Sequence, residues 1–462
     1  MKLTYGVNDK PKFGHIIIFA LQQLLAILAA TIAVPAVVNS NDAVKQMIAN
    51  GGTPMSQSAA LFGAGVGTIV YLLFTKFRSP AFLGSAFAFI GSMLAAFAGA
   101  VSMQVGYLGL IIGAFFAGLV YVVIAIVVKL VGVKWVNKLM PAVVIGPTVA
   151  IIGLSLAGNA VGDAVGVKAV DGAFTMNLHS ALCLICAIVT LLVVTLCSVY
   201  GKKMAKLIPF IIGIVAGYAV AAVFTLIGNS ANIEAMKIID FSLFNNMQWY
   251  PDFTFVEAIK GFKGIDGAYI GTVAVAYIPV AFVVFAEHIA DHKNLSSIIE
   301  KDLLEDPGLS RTLLGDGVGS MAGAMFGGCP NTTYGESVGC VAITGNASIV
   351  TILATAILAI AASFVAPFVT FLATIPSCVM GGVCISLYGF IAVSGLKMLQ
   401  KVDLDDNKNL FVASVILICG IGGMTLKFGK VTLTEVATAL ILGIIFNVVL
   451  SGKNNKAEEK AE

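Results

Sequence analysis

Eleven stretches of this chain are each apolar for long enough to cross a lipid bilayer, and that fact removes nearly every soluble architecture. A spanning helix satisfies its own backbone and needs about 20 apolar residues to traverse the hydrocarbon. Clear runs lie at 15–37, 57–75, 104–128, 139–157, 180–199, 207–228, 266–290, 347–367, 376–396, 409–425 and 432–450. Three weaker ones, 80–99, 311–327 and 333–345, are short or interrupted by Gly, Pro and Ser, giving an expected total of fourteen spans. Composition agrees, since 59% of the 462 residues are hydrophobic and 11% are charged, with a mean hydropathy of +0.99. A soluble core needs far less.

An even number of spans puts both termini on one side. With that side cytoplasmic, 20 of the 27 Lys and Arg fall in cytoplasmic segments and 7 outside, as the positive-inside rule requires. Lys76, Arg78, Lys134, Lys138, Lys202, Lys203, Lys206, Lys397 and Lys401 are among the former. The connections 158–179 and 229–264, rich in Gly, Asp and Asn, are expected to loop over the outer face, and 451–462 to form a solvated tail. No cleavable leader is expected in the polar opening "MKLTYGVNDKPKFGH". A net charge of +3, spread over short loops, does not indicate a nucleic-acid partner. The eight cysteines sit mostly in apolar runs, so the Cys183–Cys186 CxxC is read as structural. Neither a metal-ligand cluster nor a nucleophile motif is visible, so no metal, cofactor or enzymatic activity is expected.

Two spans are interrupted in matching places. The third opens "SPAFLGSAFAFIG" (79–91) and the tenth "GGCPNTTYGESVG" (327–339), each the third member of a seven-span half. Non-helical backbone at membrane depth is tolerated only where protein or a watery cavity satisfies it. Short, Gly/Pro-broken segments at equivalent positions point to a site at the interface of an inverted repeat, with helix-end N–H groups as donors. The bland alternative is close helix packing through small residues. The "NTT" at 331–333 matches a glycosylation sequon, but its intramembrane position argues against that use.

Acidic residues are costly in a span, roughly 2.5–3.5 kcal/mol at its centre, and mark cavities or partners. Glu287 and Glu336 cannot be moved to a loop. Asp291 shares the helix face of Glu287, while His288 turns away by about 100° and reads as a polar packing contact. Two carboxylates with little Lys or Arg in the spans disfavour an anionic ligand. They suit a neutral solute with N–H donors, taken up with H+ or Na+.

These residues resemble those of the nucleobase-ascorbate transporters, also called nucleobase:cation symporters, and most closely the bacterial uracil permease branch. The likeness is densest in "LQQLLAILAATIAVP" (21–35), "PAFLGSAFAFIG" (80–91), "AEHIADH" (286–292), "KDLLEDPGLSRT" (301–312), "CPNTTYGESVGCVAIT" (329–344) and "PSCVMGGVCISLYGFIAVSG" (376–395). Glu336, Gly339 and Thr344 match the family signature. The resemblance implies an all-α membrane protein of two inverted seven-span repeats. Its core domain would comprise 15–130 and 266–367 and its gate domain 139–228 and 376–450, flanked by a cytoplasmic N-terminus, 1–14, and the tail. It also implies a homodimer in a prokaryotic inner membrane and elevator-type import of uracil.

Glu287 and Glu336 would hydrogen-bond the base, Phe87 and Gly335 would offer backbone amides, and Ala30, Tyr334 and Tyr388 would form apolar walls. Gln23, Asp291 and His288 would serve coupling or support. Departures bear on substrate: relatives usually carry His at the positions of Gln23 and Asp291, and Asp at the latter resembles the purine branch, leaving xanthine or uric acid as the alternative. Ser337 and Gly345 also depart from the signature. A sulfate- or chloride-type anion transporter of the same fold is the remaining alternative.

Overall fold

The computed structural model describes residues 3–132, 135, 139–167, 169–170, 173–202, 204–428 and 431–458. Lys134, Lys138 and Lys203, and the end of the tail, lie outside these residues. The chain opens with α1 (Phe13–Ser40), α2 (Asp42–Ala49) and α3 (Gln57–Phe74). Strand β1 (Leu83–Ser85) follows, then a 3-10 turn (Phe87–Phe89), α4 (Ile90–Ala98) and α5 (Met103–Val131). Next come α6 (Ala142–Ser155), α7 (Ala157–Val165), the hairpin β2 (Ala169–Val170) and β3 (Ala173–Phe174), α8 (Leu178–Tyr200), α9 (Met204–Leu207), α10 (Pro209–Ala231) and α11 (Thr254–Lys260). The second half holds α12 (Gly267–Ile299), α13 (Leu309–Gly327), β4 (Asn331–Thr333), α14 (Gly335–Thr344), α15 (Ile349–Ala362) and α16 (Ala366–Thr374). It ends with α17 (Ser377–Leu399), α18 (Asn407–Ile421), the hairpin β5 (Leu426–Phe428) and β6 (Val431–Leu433), and α19 (Glu435–Glu458).

The protein is a polytopic helical membrane protein. Among the described residues eight helical segments are long and apolar enough to cross, or nine if the pair α15 and α16, bent by 81°, is one span. The other expected spans are shorter, broken or more polar, so helix length alone does not give fourteen. Pro367 accounts for the bend: it is accepted in the first turn of α16 and would have blocked the interior of a continuous helix.

The connections 158–179 and 229–264 are more structured than their composition implied. The segment 158–179 begins as helix through Val165, because Asn159 and Asp163 lower hydropathy without breaking a helix. Within 229–264, α11 packs against α5 and α13 with Thr254 and Ala258 buried.

The helices fall into two packing groups. In one, α1, α3, α4, α5, α12, α13 and α15 pack on one another; in the other, α6, α7, α8, α10, α17, α18 and α19 do. α3 packs closely on α13, where glycines face glycines. A Cβ at Gly63 would stand 2.4 Å from the Gly323 carbonyl, and one at Gly67 would stand 2.8 Å from that of Gly319. Small residues let transmembrane backbones approach this closely, since lipid gives helices no hydrophobic reason to associate.

Candidate functional site

The two interrupted spans meet. β1 and β4 pair antiparallel, with Leu83 opposite Thr333, Gly84 opposite Thr332 and Ser85 opposite Asn331. The pairing extends one bond each way, from the Ala86 N–H to the Pro330 carbonyl (2.9 Å) and from the Tyr334 N–H to the Phe82 carbonyl (3.2 Å). The backbone freed from helix is thus satisfied by its counterpart from the other half, as an inverted repeat requires.

Side chains of α3 and of the β4 segment complete the clamp. Thr68 accepts from the Leu83 N–H (2.9 Å), Asn331 donates to the Gly63 carbonyl (3.0 Å), and the Tyr334 hydroxyl donates to the Ser85 carbonyl (2.9 Å). The Tyr334 ring lies on Gly84, where a Cβ would come within 2.3 Å of it. Gly84→Val is therefore expected to push this ring from the strand pair and lose substrate binding while the protein still inserts. Ligand-induced thermal stabilisation against apo stability would separate the two effects.

Each strand runs directly into a helix. Neither Ala86 nor Tyr334, the residues preceding these helices, offers a side-chain cap to the first N–H groups. Between them lies a cavity of about 490 Å³, within the usual range for small-molecule sites. Its polar wall carries Glu287, Asp291, Thr333 and Glu336. The facing wall is apolar and comes from the other packing group, with Val149, Phe210, Leu387, Phe390 and Ile391. Lys206, Asn294 and Met398 also border it.

Glu287, Asp291 and Glu336 keep part of their surface open, as does Phe87, and Gly335 is exposed. Thr333 donates to Asp291 at 2.9 Å. Among the described residues no side chain hydrogen-bonds the carboxylates of Glu287 or Glu336, which leaves both available as acceptors. The expected wall and backbone residues Phe87, Tyr334 and Gly335 also line the cavity.

Three expected residues stand elsewhere. Ala30 is buried without lining the cavity, and Tyr388 reaches it only through an edge-on contact with Phe87, with ring centroids 6.0 Å apart. Gln23 donates to Ser337 Oγ at 2.5 Å, and the same oxygen accepts from the Phe82 N–H at 3.3 Å. The Gln23–Ser337 pair thus ties α1 to both broken spans.

His288 points away from the cavity, as its position one residue past Glu287 required. It meets Asp316 Oδ2 through Nδ1 at 2.7 Å. Asp316 escaped the sequence reading although it lies inside the apolar run 311–327. The criterion applied to Glu287 would have found it, but the surrounding glycines had marked that run as weak. Asn331, Thr332 and Thr333 were also missed as anchors, because their partners lie on helices distant in sequence.

The family model described as Permease family matches residues 14–428. The uracil permease of Bacillus caldolyticus is 38% identical over 466 residues, spanning 100% of this chain and 98% of that protein. The uracil permease of Bacillus subtilis (strain 168) is 35% identical over 467 residues, spanning 100% and 98%. That of Escherichia coli (strain K12) is 34% identical over 446 residues, spanning 96% and 93%. Two solved structures share the fold at low identity. The transmembrane domain of a cyanobacterial bicarbonate transporter, BicA, has a TM-score of 0.58 at 16% identity, covering 96% of this chain and 100% of that one. Murine solute carrier 26 family member A9, an anion transporter in the inward-facing state, has a TM-score of 0.61 at 12% identity, covering 97% and 69%.

Proposed function

The chain belongs to this permease family, and we propose that it imports uracil, driven by co-transport of H+ or Na+. The observation that carries this reading is the pair Glu287 and Glu336, two open acceptors on one cavity beside the uncapped N–H groups of two helices. Uracil presents N–H donors to the carboxylates and carbonyl oxygens to the amides, so each side of the base finds its complement. The names of the relatives support the pyrimidine assignment. Gln23 and Asp291 favour xanthine as the second reading.

Anion transport, the activity of the two structural neighbours, fits this cavity poorly. Glu287, Asp291 and Glu336 would repel an anion, and Lys206 is exposed.

In this reading the first packing group is the core domain (15–130 and 266–367) and the second the gate domain (139–228 and 376–450), together forming fourteen spans. The polar wall belongs to the core and the apolar wall to the gate. An elevator movement of one along the other then breaks few polar contacts. The cavity borders on Lys206, near Lys202 and Lys397, so with the basic loops cytoplasmic this is an inward-facing conformation. The protein would reside in a prokaryotic inner membrane as a homodimer with both termini cytoplasmic.

Labelled uracil uptake into proteoliposomes tests the function, under an inward proton gradient, a sodium gradient, or neither, with excess xanthine as competitor. Gradient-driven uptake insensitive to xanthine is expected. Xanthine uptake without uracil uptake would reverse the substrate assignment.

A further inference from the structure

Glu287, Asp291 and Glu336 face the cavity, but the fourth acidic group of this region does not. Asp316, midway along α13, is fully buried. Its Oδ2 meets His288 Nδ1 at 2.7 Å and accepts from Thr332 Oγ1 at 3.2 Å, while its Oδ1 has no partner. His288 is equally buried, and its Nε2 lies 3.0 Å from Thr312 Oγ1. Thr312 in turn donates to the Leu309 carbonyl at 3.1 Å.

Two proton counts satisfy these bonds. A carbonyl only accepts, so with the Thr312 hydrogen directed at Leu309, Nε2 must itself carry a hydrogen to bond Thr312. The contact between Nδ1 and Oδ2 requires another. Wherever that second proton rests, the pair is then net neutral. Removing one of the two leaves a net negative pair in a sealed place: the remaining ring hydrogen sits on Nδ1 and donates to Oδ2, and Thr312 turns from Leu309 to donate to the vacated Nε2 lone pair. The site is therefore a store for one proton with two defined hydrogen-bond arrangements.

The store adjoins the cavity by two routes. His288 directly follows Glu287 on α12, and Thr332 belongs to β4 beside Thr333, which holds Asp291. Other ionisable groups converge on it: Glu287 and Asp291 from α12, and Tyr121 from α5, all within electrostatic reach of Asp316, with Glu336 of α14 acting on Glu287. Among the described residues none of these acids forms an ion pair with Lys or Arg. On the far side the His292 ring stacks on His288 with centroids 4.0 Å apart. His292 Nε2 meets the Tyr71 hydroxyl at 2.7 Å, and Tyr71 donates to Ser79 at 2.6 Å, next to exposed Arg78. A line of exchangeable groups thus runs from the pair toward a basic loop.

We propose that the cation taken up with the substrate is a proton held by the His288–Asp316 pair behind β4, while Glu287 and Glu336 recognise the base. This rests on the reading of the cavity as a cation-coupled uracil site. One H+ enters the deprotonated pair from the outer side, and the same H+ leaves on the cytoplasmic side. No covalent bond changes except those to the proton itself, and the Thr312 hydrogen moves between Nε2 and the Leu309 carbonyl.

The test uses the full chain in proteoliposomes, comparing uracil counterflow without a gradient, accumulation under an inward proton gradient, and proton uptake reported by a trapped pH dye. Asp316→Asn is expected to keep counterflow and lose both accumulation and proton uptake. Thr312→Val is expected to shift the pH midpoint of driven uptake with counterflow intact, a readout a structural role would not move. Accumulation by Asp316→Asn equal to wild type overturns the proposal. So does equal loss of counterflow and accumulation in Asp316→Asn with an unmoved midpoint in Thr312→Val, since that is the behaviour of a structural pair. Should Asp316→Asn not fold, the Thr312→Val midpoint decides. Sodium-driven uptake without proton movement overturns the proposal and leaves the uracil reading standing. Wild-type protein that ignores uracil overturns that reading, and the proton measurements with xanthine as probe then judge the pair by itself.

Discussion

Glu336→Ala is expected to abolish saturable uracil uptake. The carboxylate starts α14 on the cavity wall, and no described side chain hydrogen-bonds it. A hydrogen bond to a charged group contributes about 1.5–3 kcal/mol, so its loss weakens binding by roughly 10- to 150-fold. Glu336→Gln keeps the shape and one acceptor, and should fall between wild type and the alanine variant. Equilibrium binding of uracil to purified protein, checked against thermal stability, measures this. Unchanged affinity in the alanine variant would remove Glu336 from the site and with it the main argument for a base ligand. The same substitution in a protein that had merely lost its fold would lower stability as well, which the second measurement detects.

Gly63→Ala is expected to be strongly destabilising, although it adds one methyl far from any ligand group. Its Cβ would stand 2.4 Å from the Gly323 carbonyl and 3.2 Å from the Gly327 nitrogen. Both are backbone atoms of α13 and cannot swing aside. Overpacking of this kind costs about 1–3 kcal/mol or more. Displacing α3 also moves the Gly63 carbonyl that anchors Asn331, so strand β4 loosens and binding falls together with stability. Gly91→Ala is the control, because nothing lies within 4 Å of its added carbon. Removing a glycine from the first turn of α4 should be neutral or stabilising, by up to about 1 kcal/mol. Thermal unfolding of detergent-solubilised protein followed by size-exclusion chromatography compares the two. Equal behaviour of both variants would mean that the α3–α13 contact is less rigid than its geometry states.

Both expectations depend on features of different legibility. The cost of charge in hydrocarbon acts on single residues, so Glu287 and Glu336 stood out from their neighbours before any fold was known. The broken spans were equally visible, since Pro and Gly act through the local backbone, and their equivalent places in two halves implied that they meet. By the same local logic Asp316 was open to detection and was passed over.

The amino-acid sequence by itself determined that this chain spans a membrane repeatedly, which two spans break, and which carboxylates cannot be solvated loops. These follow from hydropathy and backbone chemistry, which operate over one or two turns. Only the tertiary structure decided the register of β1 on β4, the pairing of Gln23 with Ser337, the absence of Ala30 and Tyr388 from the cavity lining, and the pairing of His288 with Asp316. Each of these joins residues from separate helices, 28 positions apart for His288 and Asp316 and 314 for Gln23 and Ser337. Such partners are selected by the direction in which packed helices present their side chains. No local pattern encodes that direction, because the same sequence of polar and apolar residues is compatible with many rotations of a helix until its neighbours are in place.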